Sequence, residues 1–385
     1  MSASLGLYIH LPFCHKICPY CSFYKHTPGG TDFTRFINAL LAEARFHAER
    51  LNHPSIRTVY LGGGTPSLLS EKHLTHLFTG LGEIFDLSHV LEIDLEANPM
   101  TFGLSKAQLF RELGVTRVSL GIQSFQPDEL QALGRDHTPE QAAESFQLLR
   151  EANIPSCNLD LMFSVPHQTV GSWADTLDQA LALKPDHISC YNLTYEEDTP
   201  YFDSFTKGEL IDDPDLNANL FTLAHEKITT AKFNHYETSN YARSAEHQLR
   251  KNSNRDHRSL HNISYWQGLP YLGLGPSAVS TLPSKSSAHH STRHRNTPDT
   301  PKYLSQIEIT GHAMTEIEHL TDEQWQLERL ALLLRTNTGL PLNYLPKNAH
   351  ANSLIQQNLA TLTPTHLILT PEGSLHVDTI AAQLA

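Results

Sequence analysis

The chain is short of cysteine, of positive charge and of long apolar runs, and each shortage removes a class of protein. Only 5 cysteines occur in 385 residues, an odd count. A disulfide framework is not expected, because three of the five crowd onto one loop, which suits a reducing compartment and a metal better than bridges. Lysine and arginine number 28 against 41 acidic residues, a formal net charge of -13. Extensive tracking of a phosphate backbone is therefore not expected, nor is a nucleic-acid partner. No apolar run is long enough for a transmembrane helix, and the N-terminus lacks the basic region and apolar stretch of a signal peptide, so the cytoplasm is the expected location.

What is present centres on Cys14-His15-Lys16-Ile17-Cys18-Pro19-Tyr20-Cys21, after an apolar run at 5–10. Three thiolates on one loop can wrap an iron-sulfur cluster while leaving one iron of a four-iron cluster without a protein ligand. That iron suits S-adenosylmethionine (SAM), whose amino and carboxylate groups can chelate it before an electron from the cluster cleaves the sulfonium. A structural zinc site stays open as an alternative, with His10, His15 or His26 as fourth ligand. Cys157 and Cys190 lie in apolar strand-like runs and read as small buried residues. Of the 24 histidines, many are expected on the surface, and only those inside a motif carry a role.

The length allows two domains or one large barrel with an appendage. Strand-like runs at 5–10, 58–61, 91–96, 117–122, 157–162 and 187–193 alternate with helical periodicity from Phe33 to Ala44, after Ser70, and near 105–113, 138–152 and 172–183. Six such units predict an α/β fold, a partial (β/α)6 barrel of TIM type. In such barrels the site lies at the C-terminal ends of the strands, where the cysteines, the glycine run 62–66, Glu96, Gln123 and Asp160 all fall. Alone, each polar residue has a bland reading as a loop cap, a turn partner or a paired buried carboxylate. The glycine run lacks the Gly-Lys-Ser/Thr ending of a Walker loop, and it can offer amides to an anion or carbonyls to an ammonium. Residues 273–278 imitate a dinucleotide fingerprint, but Pro276 and the missing acidic residue about 20 positions on reject that reading.

A helix is expected over 215–232. His261-Asn262-Ile263-Ser264-Tyr265-Trp266 sets a metal-ligating imidazole beside two aromatics, a combination that suits a porphyrin; an interfacial aromatic anchor is the alternative. Residues 284–301 read as a mobile loop in which His289, His290 and His294 bind metal adventitiously. From Lys302 a small unit is expected, with Thr321 and Gln324 as the capping box of a helix through Leu330, Leu333 and Leu334 that ends near Gly339, and a hairpin of 367–369 with 375–377 around Pro371-Glu372-Gly373. That outline is a winged-helix-like α+β domain, but it is poor in Lys and Arg, which favours a cover or docking role. The expected division is 1–237 for the barrel with the cluster and SAM site, 238–301 as a connecting segment and 302–385 as the winged-helix-like domain.

Residues 8–14, the cysteine loop, 62–66, Gly121-Ile122-Gln123-Ser124-Phe125 and 261–266 together resemble the radical SAM family of oxygen-independent coproporphyrinogen III oxidases, and more closely its heme chaperone branch. The resemblance implies Cys14, Cys18 and Cys21 as 4Fe-4S ligands, with Tyr8, Tyr20, Gly63, Gly64, Thr65 and Glu96 around SAM. It places Gln123, Arg135 and Asp160 at further nucleoside positions, which in the oxidase serve in part a second SAM. The oxidase carries a further cysteine two positions after its third, where this sequence has Phe23. The chaperone branch shares the His-Asn-x-x-Tyr-Trp motif, and the resemblance implies His261 as the heme residue. The function implied is a heme chaperone that transfers heme to acceptor hemoproteins, with the membrane surface as one setting, an electron donor for the cluster, and a homodimer as a permitted assembly. The alternative is coproporphyrinogen III dehydrogenase activity, an oxidative decarboxylation; radical modification of RNA is a third class that the charge disfavours.

Overall fold

The fold grows from a strict alternation along the first strand. In β1 (Leu5–Leu11) Leu7, Ile9 and Leu11 point one way and Gly6, Tyr8 and His10 the other, as a period of two requires. A computed structural model of the chain describes residues 4–244, 255–284, 288–346 and 351–385. β1 is followed by α1 (Phe33–Arg50), β2 (Ile56–Gly63), α2 (Glu71–Ile84), β3 (Glu92–Ala97), α3 (Leu104–Glu112), β4 (Arg117–Gln123), α4 (Pro127–Ala132), α5 (Pro139–Glu151), β5 (Ser156–Phe163), α6 (Val170–Ala182) and β6 (His187–Asn192). Strands β1 to β6 are parallel and adjacent in chain order. The helices begin where side chains satisfy their first amides: Asp32 accepts from the amides of Thr34 and Arg35, Ser70 caps α2, and Thr138 with Gln141 and Thr169 with Ser172 form reciprocal caps.

The sheet does not stop at the sixth strand. After α7 (Pro200–Thr206) and α8 (Pro214–Thr230), β7 (Phe233–Glu237) and β8 (Asn240–Arg243) form an antiparallel edge beside β6. After α9 (Leu260–Trp266), β9 (Tyr271–Leu274) runs parallel to β1 on the other side, and β10 (Val279–Pro283), β11 (Ser291–Asn296) and β12 (Met314–Leu320) extend the sheet antiparallel to twelve strands. The loop expected over 284–301 is thus in large part strand β11, followed by the start of α10 (Thr300–Thr310); residues 285–287 lie outside the described residues. Its Ser/Thr/His composition was misleading, because Ser291, His294 and Asn296 are buried within the sheet. Its histidines part company: His294 stacks on His47, His289 on His319 and His290 on Trp325.

Beyond β12, α11 (Asp322–Leu333) carries the expected capping box but ends six residues before Gly339. It packs with β13 (Leu340–Pro341), α12 (Ala351–Gln356), β14 (Ala360–Leu362), β15 (His366–Leu369), α13 (Pro371–Ser374) and α14 (Val377–Leu384) around Leu330, Leu340, Leu354, Leu367 and Ile380. The second half of the expected hairpin is absent. Thr370 caps a helical turn at Pro371, so β15 pairs with β14 and β13, and residues 375–377 lead into α14.

Apolar residues fill the space between strands and helices, where Leu61, Leu95, Leu120 and Leu159 meet Phe36, Leu77, Phe110, Phe146 and Trp173, all fully buried. The inward faces of the strands are polar instead. Glu92, Asp94 and Glu96 alternate along β3 and face Arg117 and Ser119, Asn158 and Asp160, and His187 and Ser189 on the next strands. The Arg117 guanidinium lies 2.9 Å from Asp94 with both side chains buried. Among the described residues seven histidines (His10, His47, His137, His187, His257, His261 and His294) are buried, so histidine is more of a core residue than its polarity suggests.

Candidate functional site

The polar lumen opens at the C-terminal ends of the strands into a cavity of about 620 Å³. Cys14, Cys18, Tyr20, Cys21, Gly63, Gly64, Thr65, Glu96, Gln123, Arg135 and Asp160 all line it. Tyr8 and His261 do not. The cysteine loop is held at both ends by neighbouring backbone: Cys14 N–H donates to His26 O at 3.0 Å, His26 N–H to Pro12 O at 2.8 Å, and the glycine run is zipped alongside through Gly64 N–H to Leu11 O (2.9 Å) and Thr65 N–H to Phe13 O (2.8 Å). So close an approach requires glycine. Gly63 sits at φ +100°, and a Cβ there would lie 2.4 Å from the His10 ring.

These contacts correct the anion reading of the glycine run. The amides of Gly64 and Thr65 are spent on Leu11 at the end of β1 and on Phe13 beyond it, and Gly63 N–H donates to Glu96 at 3.1 Å. The carbonyl reading, which suits an ammonium, remains. Glu96 also accepts from Tyr60 O–H at 2.7 Å. Burial, with Asp160 adding to it, pushes the Glu96 carboxyl up to about 7. Asp160 accepts from Ser119 O–H at 2.9 Å and Asn158 N–H at 2.8 Å, and burial raises it as well. Two carboxyls with raised proton affinity on one wall favour a ligand that brings positive charge or hydroxyl donors.

The cysteines are free. Burial pushes the thiols of Cys14 and Cys21 up, so thiolates there need compensating positive charge, which iron supplies. Each sulfur also has a donor or cation at hand: Thr65 O–H lies 3.7 Å from Cys14 Sγ, Arg135 Nη1 lies 3.7 Å from Cys18 Sγ, and the Lys25 ammonium favours the Cys21 thiolate. The residues present therefore fit an iron-sulfur cluster. Among the described residues no three His, Cys, Asp or Glu side chains are arranged around a single metal ion. Phe23 is 68% exposed at the cavity mouth.

Tyr8 lies deeper, donating to His10 Nδ1 at 2.9 Å, while His10 Nε2–H meets Tyr24 O at 2.8 Å. Burial lowers the His10 pKa to about 4, which keeps that ring neutral. His261 lies toward the N-terminal ends of the strands, behind Tyr60 of the cavity wall, with the two rings 5.1 Å apart. Its ring contacts Thr58 Oγ1 through Nδ1 at 2.8 Å, and its backbone N–H donates to Glu92 at 3.0 Å. Five residues of β2 separate Thr58 from Gly63, about 17 Å at strand rise. His261 is 3% exposed, its pKa is lowered by burial to about 4, and Nε2 has no hydrogen-bond partner. Tyr265, 39% exposed, has its ring 4.1 Å from that of Tyr271, tilted by 31°. A hydrogen-bonded line joins the two ends: Asp160 to Asn158, Asn158 to His187 Nδ1 (2.6 Å), His187 Nε2 to Tyr236 O–H (2.7 Å), and Tyr236 to the amide of Ser259, the cap of α9 (3.0 Å).

Sequence reasoning missed Tyr60, Ser119 and Asn98. Strand alternation offered the signal, because Tyr60 shares its face with Thr58, Ser119 with Arg117, and Asn98 follows Glu96 by two residues.

Residues 8–180 match the family model of the radical SAM superfamily. A protein named heme chaperone HemW from Synechocystis is 33% identical over 365 residues, covering 92% of this chain and 83% of its own. The chain belongs to the radical SAM superfamily, in the HemW family. The mitochondrial radical S-adenosyl methionine domain-containing protein 1 of Bos taurus is also 33% identical, over 88% of this chain and 75% of its own. Coproporphyrinogen III oxidase (HemN) from Escherichia coli, solved as a radical SAM enzyme, aligns over 100% of this chain and 90% of its own with a TM-score of 0.80 at 21% identity, a likeness of fold. Radical SAM membership implies a 4Fe-4S cluster and SAM, and the strands that carry the matched residues are those whose ends build the cavity. No helix among the described residues is long and apolar enough to cross a membrane.

Proposed function

We propose that this protein is a heme chaperone that binds heme and transfers it to acceptor hemoproteins, with a 4Fe-4S cluster on Cys14, Cys18 and Cys21 and SAM in the adjoining cavity. The observation that carries the reading is a cysteine-lined cavity with a buried, unpartnered imidazole behind its Tyr60 wall, in a chain whose relatives are named heme chaperones. When bound, the cluster supplies an electron that can cleave the sulfonium of SAM. The glycine run offers its carbonyl side to the ligand's ammonium beside Glu96, and Asp160 with Gln123 provides acceptors and donors for its hydroxyls. Tyr8 acts from below, fixing His10 and through it the glycine run. Tyr20 and Arg135 border the cluster side.

His261 is the heme ligand in this reading. Its Nε2 carries no internal hydrogen bond to lose, and the Tyr265 ring, 6.2 Å away, supplies flat surface beside it. At 3% exposure the imidazole meets a macrocycle only when α9 shifts. The cluster depends on an electron donor, the acceptor hemoprotein docks at the cytoplasmic or membrane-surface side, and a homodimer is compatible with both sites.

Anaerobic purification with iron, sulfide and heme quantification tests this. Wild type should retain all three, Cys18→Ala should lose iron and sulfide, and His261→Ala should lose heme alone. Heme uptake unchanged in His261→Ala, or conversion of coproporphyrinogen III under reducing conditions, overturns the reading.

A further inference from the structure

We propose that Asn98 is the positioning residue that orients hydrogen bonds to two of the three cluster cysteines and thereby sets the reduction potential of the cluster; the inference rests on the 4Fe-4S assignment above. Asn98 follows the last residue of β3 and is anchored by its own amide, which donates to Ser67 Oγ at 3.3 Å. Its side chain works in two directions. Nδ2 donates to Thr65 Oγ1 at 3.0 Å, and Oδ1 accepts from Arg135 Nη2 at 2.7 Å. Those two partners are the groups that lie 3.7 Å from Cys14 Sγ and Cys18 Sγ.

The polarity of this bridge is determined. Arginine has only donors, so the atom facing Arg135 has to be the amide oxygen, and Nδ2 then faces Thr65. A threonine hydroxyl has one proton, and because Thr65 accepts from Asn98, that proton is free for Cys14 sulfur. With the amide reversed, the hydroxyl would donate to Asn98 and the Cys14 contact would be lost. Space for the bridge comes from Gly121, where a Cβ would lie 2.8 Å from Asn98 Oδ1 and 3.3 Å from Arg135 Nη2. Cys21 stands outside the bridge and has Lys25 instead. Donors to cluster thiolates stabilise the more negative, reduced state, so both contacts raise the potential.

The test is a redox titration by electron paramagnetic resonance on anaerobically reconstituted wild type, Asn98→Ala and Asn98→Asp, after iron and sulfide have been counted. With a full cluster, Asn98→Ala should titrate at lower potential. Where wild type is half reduced, its reduced-to-oxidised ratio should fall about tenfold, the effect of about one charge-assisted hydrogen bond. Asn98→Asp keeps an acceptor for Arg135 but draws the Thr65 proton away from sulfur, so it should also fall and show an altered signal. Wild-type potentials and signals in both variants at full iron content overturn this inference alone. Loss of the cluster from both folded variants also overturns it, by showing retention and not tuning. A wild type that holds no iron or sulfide overturns the cluster assignment as well.

Discussion

Lowering the pH from 6 to 5 should destabilise the chain, and the size of the effect follows from its buried titratable groups. Burial lowers the pKa of His10, His137, His235, His261 and His294 from 6.5 to about 4, and that of His47 to about 3. A histidine with a depressed folded pKa contributes stability above 6.5 that is lost as the pH falls toward its folded value. Burial raises Glu43, Glu96 and Glu237 from 4.5 to about 7; these carboxyls act oppositely, contributing stability below 4.5 that is lost as the pH rises through 7. At pH 5 the six imidazoles bind about five more protons unfolded than folded, and the three acids bind about two fewer, which leaves a slope of roughly 4 kcal/mol per pH unit. Averaged from pH 6 to 5 the loss is about 3 kcal/mol, a sizeable part of a stability of about 5–15 kcal/mol. Urea unfolding at pH 7, 6 and 5 at fixed ionic strength measures it. His47, both of whose ring nitrogens lack partners, isolates one contribution: His47→Leu should flatten the slope at pH 5 by about 1.4 kcal/mol per unit. Stability that holds or rises from pH 6 to 5, or a variant slope equal to wild type, would refute the reasoning.

Gly63→Ala should cost about 2–5 kcal/mol, since it combines a positive φ with a Cβ driven into a His10 ring pinned by Tyr8 and Tyr24, and it should abolish SAM retention in equilibrium dialysis. Gln123 holds φ at 73° at an irregularity in the β4–β5 pairing, inside the cavity. Gln123→Gly should relieve that strain and raise stability by about 0.5–1 kcal/mol while weakening SAM binding, read by melting temperature and dialysis together.

The barrel was legible because its strands carry strong apolar runs between well-capped helices; the expected strand at 117–122, for example, is β4 with one residue added. The extension of the sheet was not legible. β10 to β12 have their polar alternation on a face that meets charged neighbours, as where Arg293 pairs with Glu318 and Glu328, so their composition resembles that of a loop. The hairpin failed because Pro371 was read as a turn signal when, preceded by the capping Thr370, it starts a helix. At the rim, chain position at the end of a strand located Glu96, Gln123 and Asp160. Asn98 escaped because its importance lies in partners 33 and 37 residues away, and His261 was singled out by its motif without its depth, because a motif states chemistry and not burial.

The backbone bonds that clamp the cysteine loop bear on how far its shape depends on the metal. In small zinc domains the metal gathers ligands from a disordered chain, so binding and folding are one process. Here Pro12, Phe13 and Cys14 are fastened to residues 26 and 65 with no metal involved. The shape of the loop therefore rests on the chain's own amides as well as on whatever its thiolates hold, and stripping the cluster is expected to leave those amides protected from hydrogen exchange.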